Sequence, residues 1–312
     1  MRHTFVRTLL DLAKDDASVW LVCGDLGYSV LDEFAARFPE RYLNVGVAEQ
    51  NMTGVAAGLA LSGKIVFTYS IANFPVARCL EQVRNDLCYH QLNVTIVAVG
   101  GGFAYGPAGY THHAVEDLAL MRAMPGMMVL APGDPAEVGP ATRAAFACAG
   151  PSYLRLGKGG EPTVHTHVPD IRPGDAIVLR EGMDVTLIST GAILGEVVGA
   201  ADRLAARGIR AGVISMPCLQ PMGAAAVWHA AARSRLVMTV EEHGRAGGLG
   251  EAVAAVLSMA GVRPVALEIC ALTSTVVNVA GTQAYLRRMH GLDADGLAAR
   301  AVAALQDHAR ER

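Results

Sequence analysis

Glu49 lies in the run Gly46-Val47-Ala48-Glu49-Gln50-Asn51-Met52, where a short apolar strand gives way to a Gly- and Ala-rich helix over residues 53–61. An acid in the first turn of a helix complements the helix dipole by about 0.3–1 kcal/mol, which is reason enough for a glutamate there. Two features point further: Val47, Ala48 and Met52 give the carboxylate an apolar setting, and Gly54 and Gly58 let another backbone approach closely. Glu49 is therefore a candidate proton carrier. His112 and His113 close a Gly-rich loop that begins at Gly106. Histidines in such loops are seldom needed for packing, so His112 is a candidate for substrate contact, whereas a metal site on the pair is poor because adjacent side chains diverge. Asp25 and Ser29 follow the first strand, where ligands of α/β sheets collect. Arg155, within Tyr153-Leu154-Arg155-Leu156, has a guanidinium fork that suits a phosphate and equally a structural salt bridge. Gly244, Gly247, Gly248 and Gly250 do not have the G-x-G-x-x-G spacing of a dinucleotide loop and are expected to form a turn with a closely packed helix start. Beside them Glu241, Glu242 and His243 are expected to be a solvated polar strand end, with an interface or ion site as the alternative.

These residues need a scaffold, and the hydrophobic pattern supplies one. Short β-branched runs (SVWLVCG, YLNVG, KIVFTYS, NVTIVAVG, MMVLAP, SYLRL) alternate with helical stretches from about Leu31, from Ala48, over Arg78 to Tyr89, over Glu116 to Arg122 and over Pro135 to Cys148. Strand–helix alternation implies a parallel sheet. Residues 1–157 form one α/β domain on this reading. Gly, Pro, His and charge without helical period mark 158–184 as a linker, and alternation resumes with DVTLIST, RAGVISM, RLVMTVEE and RPVALEI in a second, smaller α/β domain over 185–312. Its last helix is expected near Ala294 to His308.

Composition bounds the function. The 312 residues carry 29 acids against 26 Lys and Arg, a formal charge of -3, with 52% hydrophobic and 18% charged residues. High apolar content excludes disorder, and the absence of a basic excess argues against nucleic acid as partner. A charged fraction below the roughly 25% usual for globular domains points to surface covered by other chains. The N-terminus reads as an amphipathic first helix and not as a signal peptide, and no apolar run reaches the roughly 18–20 residues of a membrane span. Six cysteines without CxxC spacing are consistent with a reducing cytoplasm.

CGDLGYS (23–29), NVGVAEQNM (44–52), FTYSIANF (67–74), GPAGYTHHAVEDLALMR (106–122) and MVLAPGDPAE (128–137) follow the order found in the pyrimidine-binding domain of transketolases, and the segment from Met238 to Val253 resembles their C-terminal domain. The resemblance spans nearly the whole chain. It implies a thiamine-diphosphate-binding pyrimidine domain followed by a transketolase C-terminal-like domain, both with parallel sheets. Glu49 matches the family glutamate that hydrogen-bonds N1′ of the aminopyrimidine, Phe74 or alternatively Tyr69 matches the aromatic surface beside that ring, and His112 matches the histidine of the family's Thr-His-Gln segment, with His113 in place of Gln. The resemblance also places Ser29 at the substrate phosphate, Asp25 at the active-site wall and Arg155 at a sugar phosphate. Gly100-Gly101-Gly102 and Ala108 replace a phosphate-binding histidine and a hydroxyl-reading aspartate, which implies an altered acceptor pocket. The family's Gly-Asp-Gly motif for diphosphate and Mg²⁺ is absent, since Gly133-Asp134-Pro135 and Gly174-Asp175-Ala176 do not match it. The resemblance thus implies a split, α2β2 transketolase whose diphosphate-binding subunit is another chain, acting on sugars or sugar phosphates. Two alternatives remain: a β subunit of a 2-oxo-acid dehydrogenase-like or specialised acyl or ketol transferase, and a non-catalytic assembly protein.

Overall fold

The computed structural model describes residues 1–259, 265–273 and 277–310. In chain order the strands are β1 (Val19–Cys23), β2 (Tyr42–Asn44), β3 (Ile65–Ile71), β4 (Val94–Val99), β5 (Met128–Leu130), β6 (Ser152–Leu156), β7 (Ile177–Arg180), β8 (Val185–Thr190), β9 (Ala211–Ser215), β10 (Cys218–Gln220), β11 (Leu236–Gly244) and β12 (Ala266–Leu272). The helices are α1 (Arg2–Asp15), α2 (Asp32–Arg37), α3 (Glu49–Leu61), α4 (Phe74–Ala77), α5 (Leu80–Gln82), α6 (Asp117–Arg122), α7 (Pro135–Phe146), α8 (Leu194–Ala205), α9 (Ala224–Arg233), α10 (Leu249–Ser258), α11 (Gln283–Met289) and α12 (Ala294–Arg310).

A seven-stranded sheet runs β10-β5-β6-β4-β3-β1-β2, and a five-stranded sheet runs β12-β11-β8-β9-β7. All six residues of β4 are buried, as a continuous apolar run must be when helices cover both faces of a parallel sheet. Alternation along β3 divides the core of the first domain: Val66 packs with Met52 and Ile96 on one face, while Phe67 and Tyr69 pack with Phe5 on the other.

Both sheets are parallel except at one edge. β10 pairs antiparallel with β5, and β7 pairs antiparallel with β9. Neither strand was legible, because three or four residues inside turn-rich sequence carry no period. β7 lies within residues 158–184, and β10 comes from the second half of the chain yet completes the first sheet. The helix expected over Arg78 to Tyr89 is broken into α5 and a π-helical turn over Val83–Cys88. Arg263 and Pro264 of the RPVALEI run lie outside the described residues, and the strand is seen from Ala266.

The segment after β6 is pinned by Asp134, the N-cap of α7. One of its oxygens accepts from the N–H groups of Ala136 and Glu137, the other from those of Val164 and His165. The side chains of Asp134, Glu137 and His165 come within 4.8 Å of one another, the spacing of a metal site. All four lone-pair positions of Asp134 are nevertheless taken by backbone N–H groups, and the two ring nitrogens of His165 face different carboxylates, so the arrangement is that of a structural clasp.

Candidate active site

Glu49 is the first residue of α3 and is 1% exposed. One carboxylate oxygen accepts from Ser70 Oγ at 3.3 Å; the other accepts from Arg78 Nη1 at 2.5 Å. Ser70 points from β3 toward Glu49, so the neighbouring Tyr69 side chain must emerge from the opposite face of the sheet. Arg78 also lays its guanidinium over the Phe74 ring, 4.8 Å from the centroid. Its four-residue spacing from Phe74 is the helical signal by which it could have been found from sequence.

His112 meets Phe74 edge-on, with centroids 5.2 Å apart, and its Nδ1 lies 3.0 Å from Thr111 Oγ1. Asn73 donates to the Thr111 carbonyl and ties this loop to the start of α4. A cavity of about 610 Å³ opens beside these groups, lined among others by Asn73, Phe74, Arg78, Thr111 and Glu116. Burial pushes the Glu116 carboxyl above its ordinary range. His113 diverges from His112 as expected for neighbours, but it is 1% exposed, packs against Phe103 and has its Nε2 3.2 Å from the Gly106 carbonyl oxygen. It nevertheless lines the same cavity, and its buried Nδ1 has no hydrogen-bond partner among the described residues.

On the far side of His112 the wall turns basic. The Tyr105 ring centroid lies 6.3 Å from that of His112, and Lys158 Nζ sits 4.8 Å above the Tyr105 ring. Arg2, His3 and Lys158 line a second cavity of about 600 Å³, and the buried Nε of Arg2 has no hydrogen-bond partner among the described residues. Neither Arg2 nor Lys158 stood out in the sequence, one lying at the edge of an amphipathic helix and the other in a Gly-rich stretch. Their value is positional.

Tyr69 is 2% exposed and stacks on Phe5 at 6.1 Å. Burial pushes its hydroxyl up to about 12, opposed by the Arg2 charge. With Ser70 on the Glu49 side, Tyr69 lies on the other face of the sheet, while Phe74 is joined to the acid through Arg78. Asp25 and Ser29 lie in the loop after β1, both with positive φ, 58° and 60°. The Asn44 amide and then the Tyr28 hydroxyl hold the Asp25 carboxyl below its ordinary range. Ser29 is exposed, on a rim that it shares with His3.

Arg155 corrects the anion-binding expectation in favour of the structural one. It is 4% exposed and forks onto Asp117, with Nε 2.8 Å from one carboxylate oxygen and Nη2 3.1 Å from the other. Tyr153 donates its hydroxyl to the same carboxylate at 2.6 Å. The fork is fully engaged inside the protein. The polar strand end is corrected too: Glu241, Glu242 and His243 are 0%, 3% and 1% exposed. Glu241 accepts from the N–H groups of Leu249 and Gly250, so the N-terminus of α10 is filled by the chain's own acid. Burial pushes that carboxyl up to about 7 against the pull of those N–H groups, and burial also holds the His243 imidazole below its ordinary range.

Residues 1–161 match the transketolase pyrimidine-binding domain and residues 174–297 the transketolase C-terminal domain. An apulose-4-phosphate transketolase subunit from Phocaeicola vulgatus is 38% identical over 298 residues, which cover 95% of this chain and 94% of that protein. The 6-deoxy-6-sulfo-D-fructose transketolase subunit SqwH of a Clostridium species is 39% identical over 81% of this chain and 79% of its own. Among solved structures, a split-gene transketolase described as an inactive β4 tetramer superposes with a TM-score of 0.88 at 37% identity, covering 98% of this chain and 97% of that one. The transketolase of Leishmania mexicana shares the fold, with a TM-score of 0.80 at 23% identity, but only 45% of its chain is covered. A buried helix-start glutamate beside an aromatic ring, a loop histidine across from it and these likenesses lead to one assignment: the chain belongs to the transketolase family, as its pyrimidine-binding and C-terminal domains.

Proposed function

We propose that this chain is the catalytic-acid half of a split transketolase, active with a diphosphate-binding partner subunit in an α2β2 assembly, and that it transfers a two-carbon ketol unit from a ketose or ketose phosphate to an aldose. The observation that carries the reading is Glu49: an acid buried at the start of α3, with Phe74 beside it through Arg78 and His112 against Phe74. Its residues fit an aminopyrimidine. Only Ser70 and Arg78 reach the Glu49 carboxylate from other side chains among the described residues, so it has lone pairs free to share a proton with a ring nitrogen, and Phe74 offers an apolar flank. When bound, thiamine diphosphate supplies the carbanion chemistry of ketol transfer. Mg²⁺ and the diphosphate would be held mainly by the partner.

This chain's own residues then have distinct tasks. Glu49 holds a proton at the pyrimidine N1′ position, and Ser70 and Arg78 keep its carboxylate aimed. His112, half-buried and with Nδ1 engaged by Thr111, keeps Nε2 for a substrate hydroxyl or carbonyl. Arg2 and Lys158 supply the positive charge that a sugar phosphate needs at the mouth, a task the family resemblance had placed on Arg155. Ser29 lies on the neighbouring rim that His3 shares with that cavity, and Asp25 stands in the same loop as Ser29. Full-length relatives that are themselves named as single subunits of a transketolase support a two-subunit enzyme, and the relative described as an inactive β4 tetramer supports inactivity of such a chain without its partner. Six free cysteines support a reducing, cytoplasmic setting.

The test is turnover with thiamine diphosphate, Mg²⁺ and a panel of ketose phosphates and pyruvate, for the chain alone and with a partner that carries the Gly-Asp-Gly motif. Ketose-dependent activity only in the mixture is expected. Pyruvate as the sole productive donor would instead establish a 2-oxo-acid dehydrogenase-like enzyme, and full turnover by a Glu49→Ala complex would overturn the assignment of the acid.

A further inference from the structure

Glu242 belongs to the second domain, at the end of β11, yet its carboxylate leaves that domain. One oxygen accepts from the backbone N–H of Phe103 at 2.5 Å and from Gln283 Nε2 at 2.8 Å; the other accepts from Arg287 Nε. Phe103 stands at the neck of the loop that carries Tyr105 and His112. The neck is closed by reciprocal backbone bonds between Gly102 and Ala114, and the carboxylate presses against it so closely that a Cβ on Gly102 would collide with Glu242 Oε1. The Phe103 side chain is itself fully buried in the core of the second domain, stacked on His290. Within the first domain Arg155 holds the Ala114 side of the neck, through the Ala114 carbonyl; the Phe103 side is held by Glu242.

We infer that Glu242 is a positioning residue for ketol transfer: it fastens the neck of the 102–114 loop to α11, so the C-terminal domain sets where His112 stands in the active site. Three donors converge on one buried carboxylate, and two of them come from α11, so the helix and the loop neck share a single anchor. Removing it leaves a buried N–H at the neck without its acceptor and reduces the half-buried Arg287 guanidinium to the Ala192 carbonyl and Glu196, so the Phe103 side of the neck is freed while the hydrophobic seat of its ring remains. The role in catalysis rests on the proposed function of His112; the fastening itself does not.

Amide hydrogen exchange on the free chain therefore separates the two. In Glu242→Ala, amides of residues 102–114 should exchange at least about tenfold faster, with β8 and β9 unchanged. Glu242→Gln, whose amide oxygen can still accept from Phe103, should bring the loop back to within about threefold of the parent while α11 stays loosened. Arg287→Ala, which leaves the carboxylate in place with one donor fewer, is the milder variant if Glu242→Ala does not fold, and should speed the same loop amides by about threefold. Glu268→Ala is the control, because it removes the ion pair with Arg300 on β12 of the same sheet without touching the loop. In the assembled complex, assayed with thiamine diphosphate, Mg²⁺ and ketose phosphates, Glu242→Ala should lower kcat by about 10–100-fold, with half-saturation by thiamine diphosphate unchanged and Glu242→Gln largely restored. Unchanged loop exchange in Glu242→Ala or, should that variant not fold, in Arg287→Ala, or equal acceleration in Glu268→Ala, overturns the fastening. Faster loop exchange with unchanged kcat overturns the positioning role. A complex with no ketol transfer in any form would instead count against the proposed function and leave the exchange result standing.

Discussion

Arg155→Met decides whether this arginine holds the fold or holds a substrate. The guanidinium is buried and makes four polar contacts: two to the Asp117 carboxylate, one to the Ala114 carbonyl at 2.6 Å and one to the Glu242 carbonyl at 3.2 Å. Methionine fills much of the space but leaves Asp117, whose side chain is 1% exposed, with the Tyr153 hydroxyl in place of a cation. Breaking a buried pair from one side costs about 3–5 kcal/mol, because the remaining charge stays buried without compensation. At about 2–4 °C per kcal/mol for domains above about 150 residues, the melting temperature should fall by about 6–20 °C. Differential scanning calorimetry of the single variants and of Arg155→Met/Asp117→Leu measures this, and the double variant should recover much of the loss because no unpaired charge remains. Below its melting range Arg155→Met should keep the parent's KM for phosphorylated substrate. A melting temperature within about 2 °C of the parent, together with a raised KM, would refute the structural reading and return Arg155 to the substrate.

Glu49→Gln keeps the shape of the acid but not its proton chemistry, so the reconstituted complex should lose at least about a hundredfold in kcat while size-exclusion chromatography shows normal assembly. Arg2→Ala and Lys158→Ala should each raise KM for a phosphorylated acceptor about tenfold or more with little change in kcat, and should leave an unphosphorylated acceptor unaffected; equal effects on both acceptors would remove these cations from phosphate recognition. Glu241 links stability to pH. Its folded value of about 7 lies above its ordinary 4.5, so the native state keeps a proton that the unfolded chain releases. Stability from this group is full below about pH 4.5 and declines as pH rises to about 7, by about 3 kcal/mol in all. Urea titrations across that window should show the decline in the parent and a flatter profile in Glu241→Gln.

Much of the architecture was written in local pattern. The alternation of β-branched runs with Ala-rich helices placed α7 and the last helix, α12, within a few residues, and the Gly–Ala helix after Glu49 put that acid at a helix start, where it lies. What stayed hidden depends on partners distant in sequence. Asp117 and Arg155 are 38 positions apart, and Phe103 and Glu242 are 139 apart, so neither the burial of Arg155 nor that of the Glu-Glu-His run follows from its neighbours. A charged run at a strand end is ordinarily solvated; here a helix N-terminus, a loop neck and α11 supply the donors that make burial tolerable. The family resemblance supplied Phe74 and His112, and the contact between their rings shows them on one wall. Arg78 was missed because the helix expected there begins at Arg78 itself, which leaves Phe74, four residues earlier, outside the period that pairs the two.

The strand that closes the first sheet has a consequence for synthesis. β5 gains its outer neighbour only from Cys218–Gln220, so during translation the first domain has an open strand edge until those residues have left the ribosome and folded back. A gene cut at the boundary between the two halves would make that transient exposure permanent. Such a fragment is expected to pair edge to edge with its own copies, and supplying the missing half as a separate chain during expression should restore a monodisperse product only if residues 218–220 are included in it.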